Sequence, residues 1–260
     1  MSPGLLVTLR ITHYNKNTGS LKDMSALDPT QTLVELTMAI CDIESVSSNE
    51  AKLADEIEQV LATASHLSIT RDGNAIVART NLNLDTRVII AGHIDTVPVA
   101  ENLPTRLHHF EREQVIFGRG TVDMKGGIAV MLKLAVAIQQ PKFDITWVFY
   151  DNEEVAADLN GLGRLASNHP ELLTGEFAVL CEPTSAMIEG GCNGTVRVEV
   201  RTVGIKAHSA RPWMGKNAIH ALAHSLNILN DYQPATITVD GLDYKESLSA
   251  VLVSGGIATN

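Results

Sequence analysis

"TRVIIAGHIDTVP" (86–98) is an apolar run that closes on a histidine and an aspartate two residues apart. Val88, Ile89 and Ile90 are apolar at consecutive positions, so an extended chain here is apolar on both faces, the pattern of a strand covered on two sides. Such a strand has no packing use for His93 and Asp95 at its carboxyl end. A histidine beside a turn is weak evidence of ligation taken alone, and the surrounding chain decides its meaning.

Outward from this strand, helical and extended patterns alternate. Asp28-Pro29 before "TQTLVELTMAI" reads as an N-cap and first-turn proline, with Leu33, Leu36 and Ile40 on one face. A second helix is expected over 49–64, with Leu53, Ile57, Val60 and Leu61 as its stripe. Strands "HLSIT" and "AIVART" flank an Asp72-Gly73 turn; helix "KGGIAVMLKLAVAIQQ", strand "DITWVFYD", helix "GLGRLASNH" and strand "EFAVLCE" follow. Doubly apolar strands separated by helices predict an α/β domain over 1–186, its mostly parallel sheet covered by helices. Beyond it the texture changes: "GTVRVEVRTVG" alternates Val196, Val198 and Val200 with Arg197, Glu199 and Arg201, a half-exposed strand. Helix "NAIHALAHSLNILNDY" and strands "ATITVDGLD" and "LSAVLVSGG" complete an expected smaller α+β domain over 187–260.

The bulk numbers narrow the function. A chain of 260 residues, 45% hydrophobic and 19% charged, is ordinary folded protein. A net charge of −10 without a Lys/Arg cluster argues against a nucleic-acid surface. The most apolar stretch, "IAVMLKLAVAI" (128–138), is too short for a membrane span and contains Lys133. Cys41, Cys181 and Cys192 have no paired spacing, which fits a reducing compartment, and residues 1–24 lack the order of a signal peptide. The expected location is the cytoplasm, with 1–24 a short strand or loose tail.

Acidic residues then gather where an open parallel sheet binds its ligands, outside the carboxyl ends of the strands. "VIIAG" ends in His93 and Asp95, "ITWVFY" in Asp151, Glu153 and Glu154, and "FAVL" in Glu182, while Asp123 sits in the glycine-rich "GRGTVDMKGG" before a helix. Singly, Asp123 could cap that helix, Glu153-Glu154 could be a first-turn charge pair and Glu182 a solvated residue. Jointly such acids repel one another unless a cation sits among them, and imidazole with carboxylates suits Zn²⁺, Co²⁺ or Mn²⁺. One carboxylate of Glu153-Glu154 can hold a metal while the other takes a proton from water. Asp95 is placed to fix the His93 tautomer.

"GHIDTVP", "GRGTVDMKGG", "NEE", "CEPT", "KAHSARPWMGKNAI" and "GGIATN" resemble, in this order, the M20 family of metallopeptidases over roughly 30–260. The resemblance implies a catalytic α/β domain bearing two metals, Zn²⁺ or Co²⁺, with an inserted lid or dimerisation domain. It implies His93, Asp123 and Glu182 around the first metal, Asp123 bridging and followed by a cis peptide bond, and Glu154 on the second metal. Glu153 is implied as general base, Asp95 as the residue behind His93, and His208 as the histidine that reaches the partner subunit's site to steady the oxyanion. Asn260 matches a substrate-holding asparagine; Arg211 could meet a substrate carboxylate or simply shape its turn. The expected reaction is amide hydrolysis, with N-succinyl-LL-2,6-diaminopimelate in lysine biosynthesis as substrate. Deacetylation of N-acetylornithine, a carboxypeptidase activity, or a non-catalytic dimerising role are the alternatives. A serine-hydrolase reading fails for want of a G-x-S-x-G elbow, and a Rossmann cofactor for want of its glycine fingerprint after the first strand.

One departure stands out. The family's second-metal histidine lies beyond the lid, and none of the nine histidines occupies that place. The sequence therefore reads as truncated, with the first-metal set complete, the second keeping Asp123 and Glu154, and activity expected to be negligible.

Overall fold

The computed structural model describes residues 27–110, 113–185, 187–190 and 193–256; the expected segment at 1–24 and Asn260 lie outside them. The chain divides into two compact units between Met187 and Ile188. The first contains α1 (Leu33–Asp42), α2 (Ala51–Ala62), β1 (Ser68–Asp72), β2 (Ala75–Arg79), β3 (Arg87–His93), β4 (Arg106–Phe110), β5 (Glu113–Phe117), α3 (Lys125–Ala137), β6 (Asp144–Tyr150), α4 (Gly161–Asn168) and β7 (Phe177–Leu180).

Five strands form one sheet in the order β1-β2-β6-β3-β7. β3 lies parallel to both neighbours, β6 and β7, whereas β1–β2 and β2–β6 are antiparallel. The sheet is therefore mixed, which corrects the expectation of a mostly parallel one. The cause is local: β1 and β2 are joined by Gly73 and Asn74 alone, with Gly73 at φ +62°, and parallel neighbours need a crossover of about a dozen residues. The β4–β5 hairpin, antiparallel from Arg106↔Phe117 to Phe110↔Glu113, is an addition that the sequence reading missed.

Each face of the sheet carries its own core. Ile76 and Ala78 of β2 with Trp147 and Phe149 of β6 pack against Leu36 and Ile40, Leu53 and Ile57, and Ile128 and Leu132 of α1, α2 and α3. Val77, Ala91, Val148 and Tyr150 point the other way, onto Leu165 of α4 and Leu172. Alternation along β2 and β6 thus serves two apolar layers, and each fully buried Leu or Ile contributes about 1.5–3 kcal/mol.

The start of α1 differs from expectation. Thr32 is the N-cap and forms a reciprocal capping box with Glu35, while Asp28 instead accepts Thr30 N–H at 2.9 Å and its hydroxyl at 2.7 Å.

The second unit has α5 (Ala218–Ala221), α6 (Ala223–Asp231) and a β8 (Thr236–Val239)–β9 (Leu242–Lys245) hairpin. Asp240 at φ 51° and Gly241 at φ 83° turn that hairpin, so "ATITVDGLD" is a hairpin rather than one strand. The alternating segment 194–204 and the segment 248–255 are not strands, which corrects the reading of both. Val196, Val198, Val251 and Leu252 are 78–90% exposed. Alternation favours a strand only where a partner completes the ladder, and among the described residues neither segment has one.

Candidate metal centre

Strand register builds the site. β3 and β6 end level, with His93 opposite Tyr150, and Ile94 N–H continues the ladder onto Tyr150 O at 2.8 Å. On the other side Ala91 pairs with Leu180, and Cys181 N–H reaches Ala91 O at 2.9 Å, which brings the next residue, Glu182, beside His93. α3 packs over this edge closely enough that a Cβ on Gly92 would collide with Met124 Cε. The loop preceding α3 delivers Asp123 through a cis Asp123–Met124 peptide bond.

His93, Asp123 and Glu182 each offer a ligand atom, and these atoms lie within 4.8 Å of one another. His93 Nε2 is 3.1 Å from Asp123 Oδ1 and 3.7 Å from Glu182 Oε1. Its Nδ1 faces Asp95, 3.1 Å from the backbone oxygen and 3.4 Å from Oδ1. With Nδ1–H donated to Asp95, Nε2 is the nitrogen free to bind a cation. One imidazole and two carboxylates, the histidine buried and both acids partly exposed, match the donor set and open side of a divalent metal site.

The electrostatics point the same way. Burial opposes a charge on His93, but its contacts with Asp123 and Asp95 and the nearby Glu182 outweigh it, and the imidazole is pushed up to about 10. Burial, together with Asp123 and the neighbouring glutamates, raises Glu154 and Glu182 even though His93 pulls both down. Negative charge is in excess here, and a divalent cation answers that demand.

Asp95 does more than orient an imidazole. Its buried carboxylate accepts the Ser47 hydroxyl at 2.7 Å and the backbone N–H groups of Glu153 and Glu154 at 3.0 and 3.1 Å. Burial works against its ionisation, yet His93 and these donors hold its carboxyl below the usual range. Ser47 itself comes from a segment after α1 that runs beside 94–96, with Ser47 N–H on Thr96 O and Ser45 Oγ on Ile94 O. Lys125, buried at the start of α3, donates to Ile43 O at 2.8 Å and ties that segment to the Asp123 loop. Burial lowers its ammonium to about 8.

Glu153 and Glu154 follow β6 at the same edge. Glu154 stands outside the three-residue group but lines one cavity with Asp123. Asp151, at the root of their loop, is gripped by Arg164 of α4 at 2.6 and 3.3 Å, and Arg164 also holds Asp72 at 3.0 Å. His208 and Arg211 belong to the second unit, in an exposed turn where Ala210 N–H meets His208 Nδ1 and Arg211 N–H meets His208 O. Sequence reasoning missed Ser47, Lys125 and Arg164. Only Lys125, in the glycine-rich motif next to Asp123, carried a signal.

A two-faced α/β sheet with a histidine–carboxylate centre at one strand edge is the plan of a metallohydrolase. Residues 89–245 match Peptidase family M20/M25/M40, and the chain belongs to that family. It is 50% identical over 228 residues to a putative succinyl-diaminopimelate desuccinylase of Mycobacterium tuberculosis, covering 87% of this chain and 63% of that protein. It is 43% identical over 232 residues to the succinyl-diaminopimelate desuccinylase of Corynebacterium glutamicum, covering 87% and 62%. The chain thus spans less than two thirds of these relatives. A tripeptidase structure from Staphylococcus aureus shares the fold, with TM-score 0.54 and 16% identity over 83% of this chain and 63% of that one. Among the described residues no helix is long and apolar enough to cross a membrane.

Proposed function

We propose that the protein is a metal-dependent amidohydrolase that releases succinate from N-succinyl-LL-2,6-diaminopimelate. The observation that carries the chemistry is the convergence of His93, Asp123 and Glu182 within 4.8 Å, on the sheet edge that also bears Glu153. The identity to the two desuccinylases supports the substrate. A divalent ion bound there, Zn²⁺ or Co²⁺, would polarise the acyl oxygen and make water more acidic. His93 binds through Nε2 with its ring held by Asp95. Glu153 takes the proton of the attacking water and delivers it to the leaving amine, its backbone fixed by Asp95. Asp123 and Glu154, which share a cavity wall, are the residues for a second ion, giving two per subunit in a protein of the relatives' full length.

In the same reading, His208 of a partner subunit steadies the developing oxyanion, and Arg211 and Asn260 contact substrate. The second unit carries the homodimer surface, supported by its exposed Val196, Val198, Val251 and Leu252. The reaction runs in the cytoplasm, where Cys41 and Cys181 stay as free thiols. Assays of the Zn²⁺- and Co²⁺-loaded protein, extended to the length of these relatives, with N-succinyl-diaminopimelate and N-acetylornithine test the reading. Faster turnover of the succinyl substrate is expected; turnover of N-acetylornithine alone would overturn the assignment.

A further inference from the structure

A cavity of about 160 Å³ adjoins the metal-site acids, walled by the loop Gly118–Asp123 with Thr96, Val97 and Glu154. Among the described residues lining it, Arg119 is the one cation. Its Nε is buried and has no hydrogen-bond partner. Arg71 meets Asp55 and Glu58, Arg87 meets Thr80 O, and Arg164 meets Asp151 and Asp72, whereas Arg79 Nε, like that of Arg119, is buried without a partner. A buried guanidinium N–H without an acceptor is costly, and of these two arginines Arg119 is the one whose cavity adjoins the metal-site acids.

The loop holds Arg119 in place. Its backbone N–H is bonded to Asn102 O at 3.1 Å, and Lys125 N–H caps Gly120 O at 2.9 Å. No other side chain fits on either side of it. A Cβ on Gly118 would lie 2.6 Å from Thr105 Cγ2, and one on Gly120, at φ +78°, would lie 2.9 Å from Lys125 Cδ. The arginine is therefore presented on a tight, preorganised loop.

We propose that Arg119 is a specificity-determining residue that pairs with the free carboxylate of a dicarboxylic acyl group, a proposal that rests on the amidohydrolase reading above. The reacting acyl carbon must lie at the His93–Asp123–Glu182 cluster, and Asp123 is also part of the cavity wall. A short acyl arm extending from that carbon enters the cavity. The cavity has room for a short arm. Asp123 and Glu154 are the acids in the wall, and cations bound to them would offset their charge. The planar guanidinium then offers a carboxylate two parallel N–H donors, which a plain alkyl acyl group cannot use. A site built for such a bond rejects the analogue lacking it, because its donors are left unpaired.

The test titrates the zinc-loaded protein with succinate and with butyrate, which keeps the four carbons but has one carboxylate. The unaltered protein is expected to bind succinate at least ~10-fold more tightly. Arg119→Met should bring the two acids within about twofold, and Arg119→Lys should restore part of the gap, because a point charge replaces the fork. Zinc affinity should be the same in all three, which verifies that the variants fold. Equal binding of both acids by the unaltered protein, or a succinate preference that survives Arg119→Met, overturns the proposal. A preference that depends on Arg119, in a protein that hydrolyses no N-acyl amide even when extended to the relatives' length and loaded with zinc, would support the pairing and sink the amidohydrolase reading instead.

Discussion

Asp95 Oδ1 accepts the backbone N–H of Glu153 at 3.0 Å across 58 positions of sequence, and the same oxygen lies 3.4 Å from His93 Nδ1. One buried carboxylate thus couples the imidazole of the metal cluster to the loop bearing the proposed base. Asp95→Asn replaces an acceptor oxygen with a donor, so at least one of its N–H or O–H neighbours faces another donor. Zinc affinity should fall about 10–100-fold, and unfolding free energy by about 1–3 kcal/mol. Calorimetric zinc titration alongside urea unfolding checks both, and unchanged zinc affinity would detach Asp95 from the centre.

Glu153→Gln keeps the size of the side chain and removes its capacity to take a proton. Turnover should fall about 10²–10⁴-fold while zinc affinity stays level, since Glu153 is outside the three-residue cluster. Steady-state kinetics on N-succinyl-diaminopimelate, with the protein extended to the length of its relatives, give the answer. A loss smaller than tenfold would mean another group accepts the proton.

Arg164 clamps Asp151, whose side chain is 4% exposed, and reaches across to Asp72. Arg164→Ala leaves Asp151 buried without its cation, and should cost about 3 kcal/mol in urea unfolding, the low end for such a pair because Arg164 is partly exposed. The clamp also fixes the root of the Glu153–Glu154 loop, so turnover should drop more than substrate affinity. Equal stability of the variant and the unaltered protein would show that the pair contributes nothing net.

What the sequence disclosed and what it concealed follow from the range of the interactions. His93 ends β3, and Glu153 and Glu182 follow the ends of β6 and β7 in the next loops, so one rule about strand ends in open sheets brought them to one edge. Asp123 was readable because a glycine-rich loop before a helix is a local pattern. Ser47 was not, because its value lies in a bond to Asp95 from 48 positions away. Arg164 was hidden for the same reason, as a polar position on a short helix whose partner carboxylates lie elsewhere in the chain. Strand direction failed at β2, where a two-residue turn forces antiparallel pairing. In the second unit, Val196, Val198 and Val200 have the alternation of a strand, but a ladder depends on a neighbour that no local pattern encodes.

Asp144 gives a pH test away from the metal cluster. Burial opposes its ionisation, but Leu82 N–H at 2.9 Å, the Thr80 hydroxyl at 2.7 Å, Leu84 N–H at 3.0 Å and Arg87 at 3.6 Å hold its carboxyl below the usual range. A carboxyl lowered on folding adds stability in full above its unfolded pKa of about 3.9, and that stability is lost as pH falls toward the lowered folded value. Asp144→Asn should therefore be less stable than the unaltered protein at neutral pH, with the gap narrowing below pH ~4. Urea unfolding at neutral and acidic pH measures it. A gap that is constant with pH would show that charge on Asp144 is not what stabilises the fold.

His93, Asp123 and Glu182, with ligand atoms within 4.8 Å of one another, are proposed to form a divalent-metal site. Equilibrium titration of the apo 260-residue chain with Zn²⁺, in parallel with His93→Ala and Glu182→Ala, tests it most directly. The unaltered chain should take up one ion tightly. Removing His93 should abolish tight uptake, and removing Glu182 should weaken it at least ~10-fold, as loss of a direct ligand should cost no less than loss of its outer support. Equal zinc affinity in all three proteins would mean that these residues do not hold the ion.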